Sequence, residues 1–347
     1  MAKKVGILTG GGDCPGLNPA IRAVVRSLQT QDYEIIGFKG GWRGPIDNDV
    51  MPMDWSQVDH LLKEGGTCLR SSRTNPFNTD GGVDAIVKTF ETQPLHALVA
   101  IGGEDTMGVA HKLYEQKQLP IVGIPKTIDN DLDATDITLG FQTAVQIATE
   151  AIDRLTTTAQ SHDRVMVVEI MGRHAGWLTA YAGLAGGADC VITPEFPMEL
   201  DKICNIIAAN EQRGKNYSII AVAEGASIVH NGEKINSQSE KAVDSFGHVK
   251  LGGIGDLLEK LIKEKTGRDV RSTTLGHIQR GGTPTAMDRV LSTSLGLEAA
   301  KNIKNQNWGK MSAFKDGKIQ TVTLAEGVGR LKVLTEEFYS RCQAFFG

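Results

Sequence analysis

Cysteine is scarce and scattered in this sequence: Cys14, Cys68, Cys190, Cys204 and Cys342 include no CxxC pair. An odd, dispersed set argues against a disulfide framework and against a zinc site, and a reducing cytoplasm is the simplest compartment for it. No apolar run approaches the length of a membrane span. The N-terminal MAKKVGILTGGGD has two lysines and a strand-like VGIL, too short for a signal-peptide core. Charge of one sign is lacking as well, since 37 basic residues face 41 acidic ones for a net charge of −4. That balance gives no reason to propose nucleic acid or a membrane as partner. Internal repeats, low-complexity tracts and a long linker are also missing.

What the sequence does have is glycine, 40 residues of 347, without a Gly-X-Y period. A chain of this length can hold two domains with substantial cores, and the glycines predict many tight βα turns. Short apolar runs alternate with amphipathic stretches. The runs are VGILT (5–9), ALVAI (97–101), IVGI (121–124), VMVVEI (165–170), SIIAVA (218–223) and STTL (272–275). Continuous apolar runs of this kind suit strands covered on both faces. Helical periodicity marks 18–28, 83–93, 109–117, 143–156 and 202–212. A βαβα alternation predicts parallel sheets in an α/β architecture. Residues 226–250 are polar and weakly periodic, and read as a surface excursion or a mobile segment.

Each run is followed at once by glycine-rich or charged residues: GGGDCPG, GGEDT, PKTIDND, MGRH, EGA and GHIQRGG. Ligands of open α/β sheets bind beyond the carboxyl ends of the strands, so these loops are candidates to meet at one cleft. GGGDCPGLN (10–18) lets backbone approach a phosphate, and the following helix start presents free N–H groups. It matches neither GxGxxG nor the P-loop, and an empty βα turn is an equally good reading of it alone. GGEDTMG (102–108) adds Glu104 and Asp105. Acids beside phosphate call for a bridging metal, for which Mg²⁺ is the usual choice; Asp105 taken singly is as readily a helix N-cap. PKTIDND (125–131) supplies Asp129 and Asp131, one suited to take a proton from an attacking hydroxyl and one to orient a metal. A bare DxD is more commonly an Asx-turn, and the neighbouring loops weaken that reading. Arg73, Arg164, Arg173, Arg271 and Arg280 offer bidentate phosphate recognition, although single arginines are mostly solvated. His277 suits a sugar phosphate or, more blandly, a buried structural role. Together these residues predict a magnesium-dependent enzyme moving a phosphoryl group between two phosphorylated small molecules.

GGGDCPGLNPAIR, GGTCLRSSR, GGEDTMG, PKTIDND, SHDRVMVVEIMGRHAG, AEGA and LGHIQRGGTPTAMDR stand in an order and spacing that resemble the bacterial-type 6-phosphofructokinases over nearly the whole chain. The resemblance implies two three-layer α/β/α domains with the active site in the cleft between them. The first would hold 1–140 and 279–329 with the phosphoryl donor and Mg²⁺; the second would hold 141–278 and 330–347 with fructose 6-phosphate. It implies that Asp129 is the base for the 1-hydroxyl, Asp131 its neighbouring acid, Glu104 a metal-site acid, Gly12 the loop glycine over the donor phosphates, and Arg73 the stabiliser of the transferring phosphoryl. Thr127, Met171, Gly172, Arg173, Glu224, His277 and Arg280 then match the sugar-phosphate pocket. Arg164 and Arg271 match arginines that reach the 6-phosphate from a neighbouring subunit, which implies a homodimer or homotetramer.

Relatives that use ATP commonly carry glycine where this chain has Asp105 and Lys126. A carboxylate at 105 adds bulk and negative charge in the path of a nucleotide's α-phosphate, and like charges in a partly desolvated site repel strongly. Lysine at 126 is a point cation suited to the end of a shorter donor. The pair resembles the pyrophosphate-dependent branch, with Asp105 carrying the discrimination. The expected reaction is pyrophosphate plus fructose 6-phosphate giving fructose 1,6-bisphosphate plus phosphate, readily reversible. An ATP-dependent enzyme tolerating Asp105, a non-catalytic regulatory subunit, and a sugar-binding protein are the competing readings.

Overall fold

The structure is a computed structural model that describes residues 2–236 and 251–347. Its strands are β1 (Lys3–Thr9), β2 (Tyr33–Phe38), β3 (Val50–Pro52), β4 (Leu95–Gly102), β5 (Ile121–Pro125), β6 (Val165–Ile170), β7 (Cys190–Ile192), β8 (Met198–Glu199), β9 (Ser218–Ala223), β10 (Ile228–His230), β11 (Glu233–Ile235), β12 (Val270–Thr274), β13 (Lys310–Lys315) and β14 (Lys318–Thr323). A seven-stranded sheet runs β14-β13-β5-β4-β1-β2-β3, and a four-stranded one runs β12-β6-β9-β7. The second sheet is parallel throughout. The first is parallel in its centre, with antiparallel β3 and β14 at its edges. The small third sheet is β11-β10-β8.

Burial explains which strands the sequence announces. VMVVEI and SIIAVA are buried at every position and coincide with β6 and β9. STTL differs, because the strand runs Val270–Thr274 with only Val270 buried. The segment expected as a helix over 109–117 begins earlier, and the helix is Glu104–Lys117. The expected helix over 143–156 extends to Phe141–His162. Within the polar stretch 226–250, Ile228–His230 pairs with Glu233–Ile235 as a hairpin; residues 237–250 lie outside the described residues. One apolar cluster joins the two large sheets, running from Val5, Ile7 and Val99 through Phe141, Ala144 and Ile152 to Val168, Ile170 and Leu178.

Two helices obtain their N-terminal caps from distant buried acids. Helix Phe141–His162 follows Gly140 and has no side-chain cap of its own. Asp288, wholly buried on helix Ala286–Lys304, accepts from Gly140 N at 2.9 Å and Thr143 N at 2.7 Å. Glu169 at the end of β6 serves helix Ile254–Thr266 the same way, accepting from Gly253 N at 3.0 Å and Gly255 N at 2.8 Å. A carboxylate placed there meets free N–H groups and the positive end of the helix dipole. Asp288→Ala strands those donors in the interior, so urea unfolding should show a loss of about 2–3 kcal/mol. An unchanged midpoint would deny Asp288 the capping role.

Candidate active site

β5 ends at Pro125, and the chain then has to turn sharply back. Asn130 makes the turn with a left-handed φ of 55°, a conformation that asparagine tolerates better than most residues. Its amide pins the loop: Oδ1 accepts from Thr138 N at 3.0 Å and Nδ2 donates to Asp136 O at 3.1 Å. Thr127 Oγ1 accepts from Asp129 N at 3.1 Å. The two acids flanking Asn130 thereby share one enclosed place. Asp129 is only 4% exposed, and Oδ1 of each aspartate is buried without a hydrogen-bond partner. Burial pushes Asp131 up to about 7, helped by the charge of Asp129 and, less, of Glu104.

One side of the cleft is built from three loops at the carboxyl ends of β1, β4 and β5. Lys126 is 3% exposed, and its Nζ donates to Gly12 O at 2.5 Å. Burial pulls its pKa down, opposed by Cys14 and Asp129. Glu104 and Asp105 occupy the first turn of helix Glu104–Lys117, whose N-cap is Gly103. The reading of Asp105 as an N-cap is therefore corrected: it lies inside the helix, where its charge is favoured by the dipole. Backbone must pass close here, since a Cβ at Gly102 would lie 2.3 Å from Thr106 Cβ and one at Gly12 would lie 2.1 Å from Arg280 Nη1. Gly12, Arg73, Asp105, Lys126, Asp129 and Arg280 all line one enclosed cavity of about 80 Å³. An open groove of about 440 Å³ adjoins it along Asp13, Thr67 and Arg70.

The second sheet brings its own loops to the same cleft. Arg173, which lines the cavity, follows β6 with a left-handed φ of 49°. Glu224, directly after β9, accepts from Arg173 N at 3.2 Å. Burial raises its pKa, and the charge of Asp129 adds to the rise, which puts these two acids within electrostatic reach of each other. Gly172 needs its φ of 144°, and a Cβ there would sit 2.7 Å from Ala175 O. Met171 is half-buried against the apolar core. His277 is exposed on a short 3₁₀ turn, Gly276–Arg280, so the buried structural role does not apply to it.

Arg164 and Arg271 do not join this group. They stand at the amino ends of β6 and β12, opposite to the cleft, and both bind Asp269, at 2.6 Å and 2.9 Å. The Arg164 hydrogen bond is the main reason the Asp269 carboxyl lies below its ordinary range. Sequence reasoning also missed residues that brace the site. Trp42 lines the cavity, and its buried indole N–H has no hydrogen-bond partner. Lys332 bonds the acid loop from behind, with Nζ 3.0 Å from Asn130 Oδ1. Neither carries a motif signal, because each acts through packing with segments far away in sequence.

Taken together, the cleft joins a pair of buried acids, a buried lysine, three converging arginines and glycine-rich backbone. Such a set can bind two anions and move a proton between them. Residues 4–303 match the family described as Phosphofructokinase. A pyrophosphate–fructose 6-phosphate 1-phosphotransferase of Amycolatopsis methanolica is 51% identical over 346 residues, 99% of this chain and 100% of that one. An ATP-dependent 6-phosphofructokinase of Mycobacterium leprae is 43% identical, with 99% of this chain and 100% of that one covered. Among solved structures, phosphofructokinase from Saccharomyces cerevisiae superposes with a TM-score of 0.82 at 30% identity over 99% of this chain. This chain spans only 46% of that one.

Proposed function

The chain belongs to the phosphofructokinase family, and from that premise we propose that its cleft phosphorylates fructose 6-phosphate at the 1-hydroxyl with pyrophosphate as donor. The products are fructose 1,6-bisphosphate and phosphate. Lys126 carries this reading. A buried ammonium held against Gly12 O, beside Asp105, lines a cavity of about 80 Å³. The charged side chains crowded there suit a short, strongly charged donor.

In the reaction the sugar's 1-oxygen forms a bond to the transferred phosphorus, and the bond from that phosphorus to the bridging oxygen breaks. Asp129 takes the hydroxyl proton, and Asp131 stands beside it as the neighbouring acid. Arg73 faces the transferring group, and Lys126 faces the leaving phosphate. Thr127, Met171, Gly172, Arg173, Glu224, His277 and Arg280 hold the sugar phosphate. Phosphoryl transfer depends mainly on such positioning and charge compensation. The same groups serve the reverse steps, and the family resemblance implies a readily reversible reaction.

Among the described residues no three His, Cys, Asp or Glu side chains form a metal cage. Mg²⁺ does not require one, since it keeps several waters and uses one or two carboxylates with substrate oxygens. The unpartnered Oδ1 of Asp131 and the nearby Glu104 fit that need. When bound there, Mg²⁺ supplies charge neutralisation to the phosphate oxygens.

By this reading residues 1–140 with 279–329 form the donor half, and 141–278 with 330–347 form the sugar half. Arg164 and Arg271, displaced from the cleft, serve the site of a neighbouring subunit in a homodimer or homotetramer. No helix among the described residues is long and apolar enough to cross a membrane, and a cytoplasmic metabolic role fits the dispersed free thiols. The second reading, an ATP-dependent enzyme, draws support from the 43%-identical relative and the open groove beside Arg70. A paired donor assay separates them. With fructose 6-phosphate and Mg²⁺ fixed, kcat/KM should favour pyrophosphate over ATP by about 30- to 150-fold, the ratio that 2–3 kcal/mol of charge conflict produces. A preference for ATP would overturn the donor assignment and leave the acceptor assignment standing. No turnover with either donor, together with sugar-phosphate binding, would favour a regulatory subunit.

A further inference from the structure

The acid loop rests on a lysine that does not line the cleft. Lys332 lies between helices Leu324–Val328 and Glu336–Gln343. Its Nζ donates to Asn130 Oδ1 at 3.0 Å, Thr135 O at 2.7 Å and Asp136 O at 2.9 Å. Those acceptors use all of an ammonium's protons. Its backbone N–H donates to Asp131 O at 2.9 Å, and Leu331 bridges to Leu132 beside it. The charge and the backbone of one residue thus both hold the left-handed Asn130 turn that separates Asp129 from Asp131.

The same segment is tied to the other sheet's loops. The carbonyl of Lys332 accepts from Trp177 Nε1 at 3.0 Å, and Trp177 opens the helix that follows the Arg173 loop. Glu195 Oε1 accepts from both Leu334 N at 2.8 Å and Gly176 N at 2.9 Å. These links run through backbone atoms at 332 and 334, so they survive a change of the lysine side chain. The acid-loop bonds of Nζ do not survive it.

We infer that Lys332 is a positioning residue for the phosphoryl transfer, fixing the Asn130 turn so that the Asp129 carboxylate meets the sugar hydroxyl and placing a compensating cation behind the acid pair. This rests on the reading of Asp129 as the base. A lysine that merely joined two packed segments would contribute stability and leave turnover per folded site alone. A positioning lysine lowers turnover and leaves ground-state binding intact, because Arg173, Glu224 and Arg280 are untouched.

Lys332→Met keeps length and apolar volume and removes charge and donors; Lys332→Gln keeps two donors. Steady-state kinetics, calorimetric titration of fructose 6-phosphate without donor, and thermal unfolding would be run on both variants of the full chain. The expected result is a fall in kcat of about 10²-fold for the methionine variant, the cost of an ångström of misplacement. The glutamine variant should fall less. The KM and the binding constant for fructose 6-phosphate should stay within about threefold. Should the methionine variant fail to fold, the glutamine variant carries the test alone through the same split. Normal kcat in a folded variant, or a loss of affinity and stability without a loss of kcat, overturns the inference. Failure of the wider reading shows elsewhere: a wild-type preference for ATP sinks the donor assignment, and near-normal turnover of an Asp129 variant sinks the base, whatever Lys332 does.

Discussion

Asp129→Ser is expected to lower turnover by about 10²–10⁴-fold, the range general-base catalysis contributes, with fructose 6-phosphate still bound. The carboxylate is 4% exposed and one of its oxygens has no partner, so it is held ready at a cost of desolvation. Serine removes the proton acceptor and leaves the backbone turn, because the turn is fixed by Thr127, Asn130 and Thr138. By this reading Asp131, on the other side of the Asn130 turn, does not take over the role. Affinity for the sugar phosphate should hold or improve, since one negative charge near Glu224 is gone. Measuring kcat and calorimetric binding on the same preparation checks both halves. Turnover close to wild type would remove Asp129 from the base role.

Asp105→Gly combined with Lys126→Gly should reverse the choice of donor. Truncating one partner of a buried charge interaction costs about 2–5 kcal/mol, so kcat/KM for pyrophosphate should fall by about 30- to 5,000-fold. ATP should gain, because the carboxylate leaves the first turn of helix Glu104–Lys117 and the enclosed cavity opens toward the groove along Arg70. Asp105→Gly alone should admit ATP while keeping most pyrophosphate activity. Lys126→Gly alone should lose pyrophosphate activity without gaining ATP use, as its Nζ sits on Gly12 O, where the proposed function puts the donor. An unchanged donor ratio in the double variant would defeat the two-residue account. The 43% identity to a relative named as ATP-dependent shows why overall similarity does not decide the donor.

Much of this was legible in the sequence. VMVVEI and SIIAVA read as strands because residues covered on both faces are apolar throughout, and both coincide with strands of the second sheet. The loops that follow the strands carry the chemistry, since a parallel sheet delivers all its carboxyl ends to one side. Helix Ala286–Lys304 was not legible. It buries Asp288, Ser292 and Asn302 and exposes Met287, Val290 and Leu297, so no single apolar stripe marks it. The helical start at Glu104 was hidden as well, because Gly103 offers no side-chain cap.

The sequence by itself determined the α/β class, the family, and the residue types that meet phosphate, because these depend on local periodicity and on motifs short enough to fold as single loops. Tertiary structure alone decided which charges are compensated and how strongly. Asp288 caps a helix that starts 148 residues away from it, at Gly140. Lys332 reaches Asn130 across 202 residues. Arg164 and Arg271, alike in sequence to the other arginines, are held apart by Asp269. The physical reason is that desolvation and Coulomb energy depend on what surrounds a side chain after the core has packed. Sequence separation carries no information about that distance.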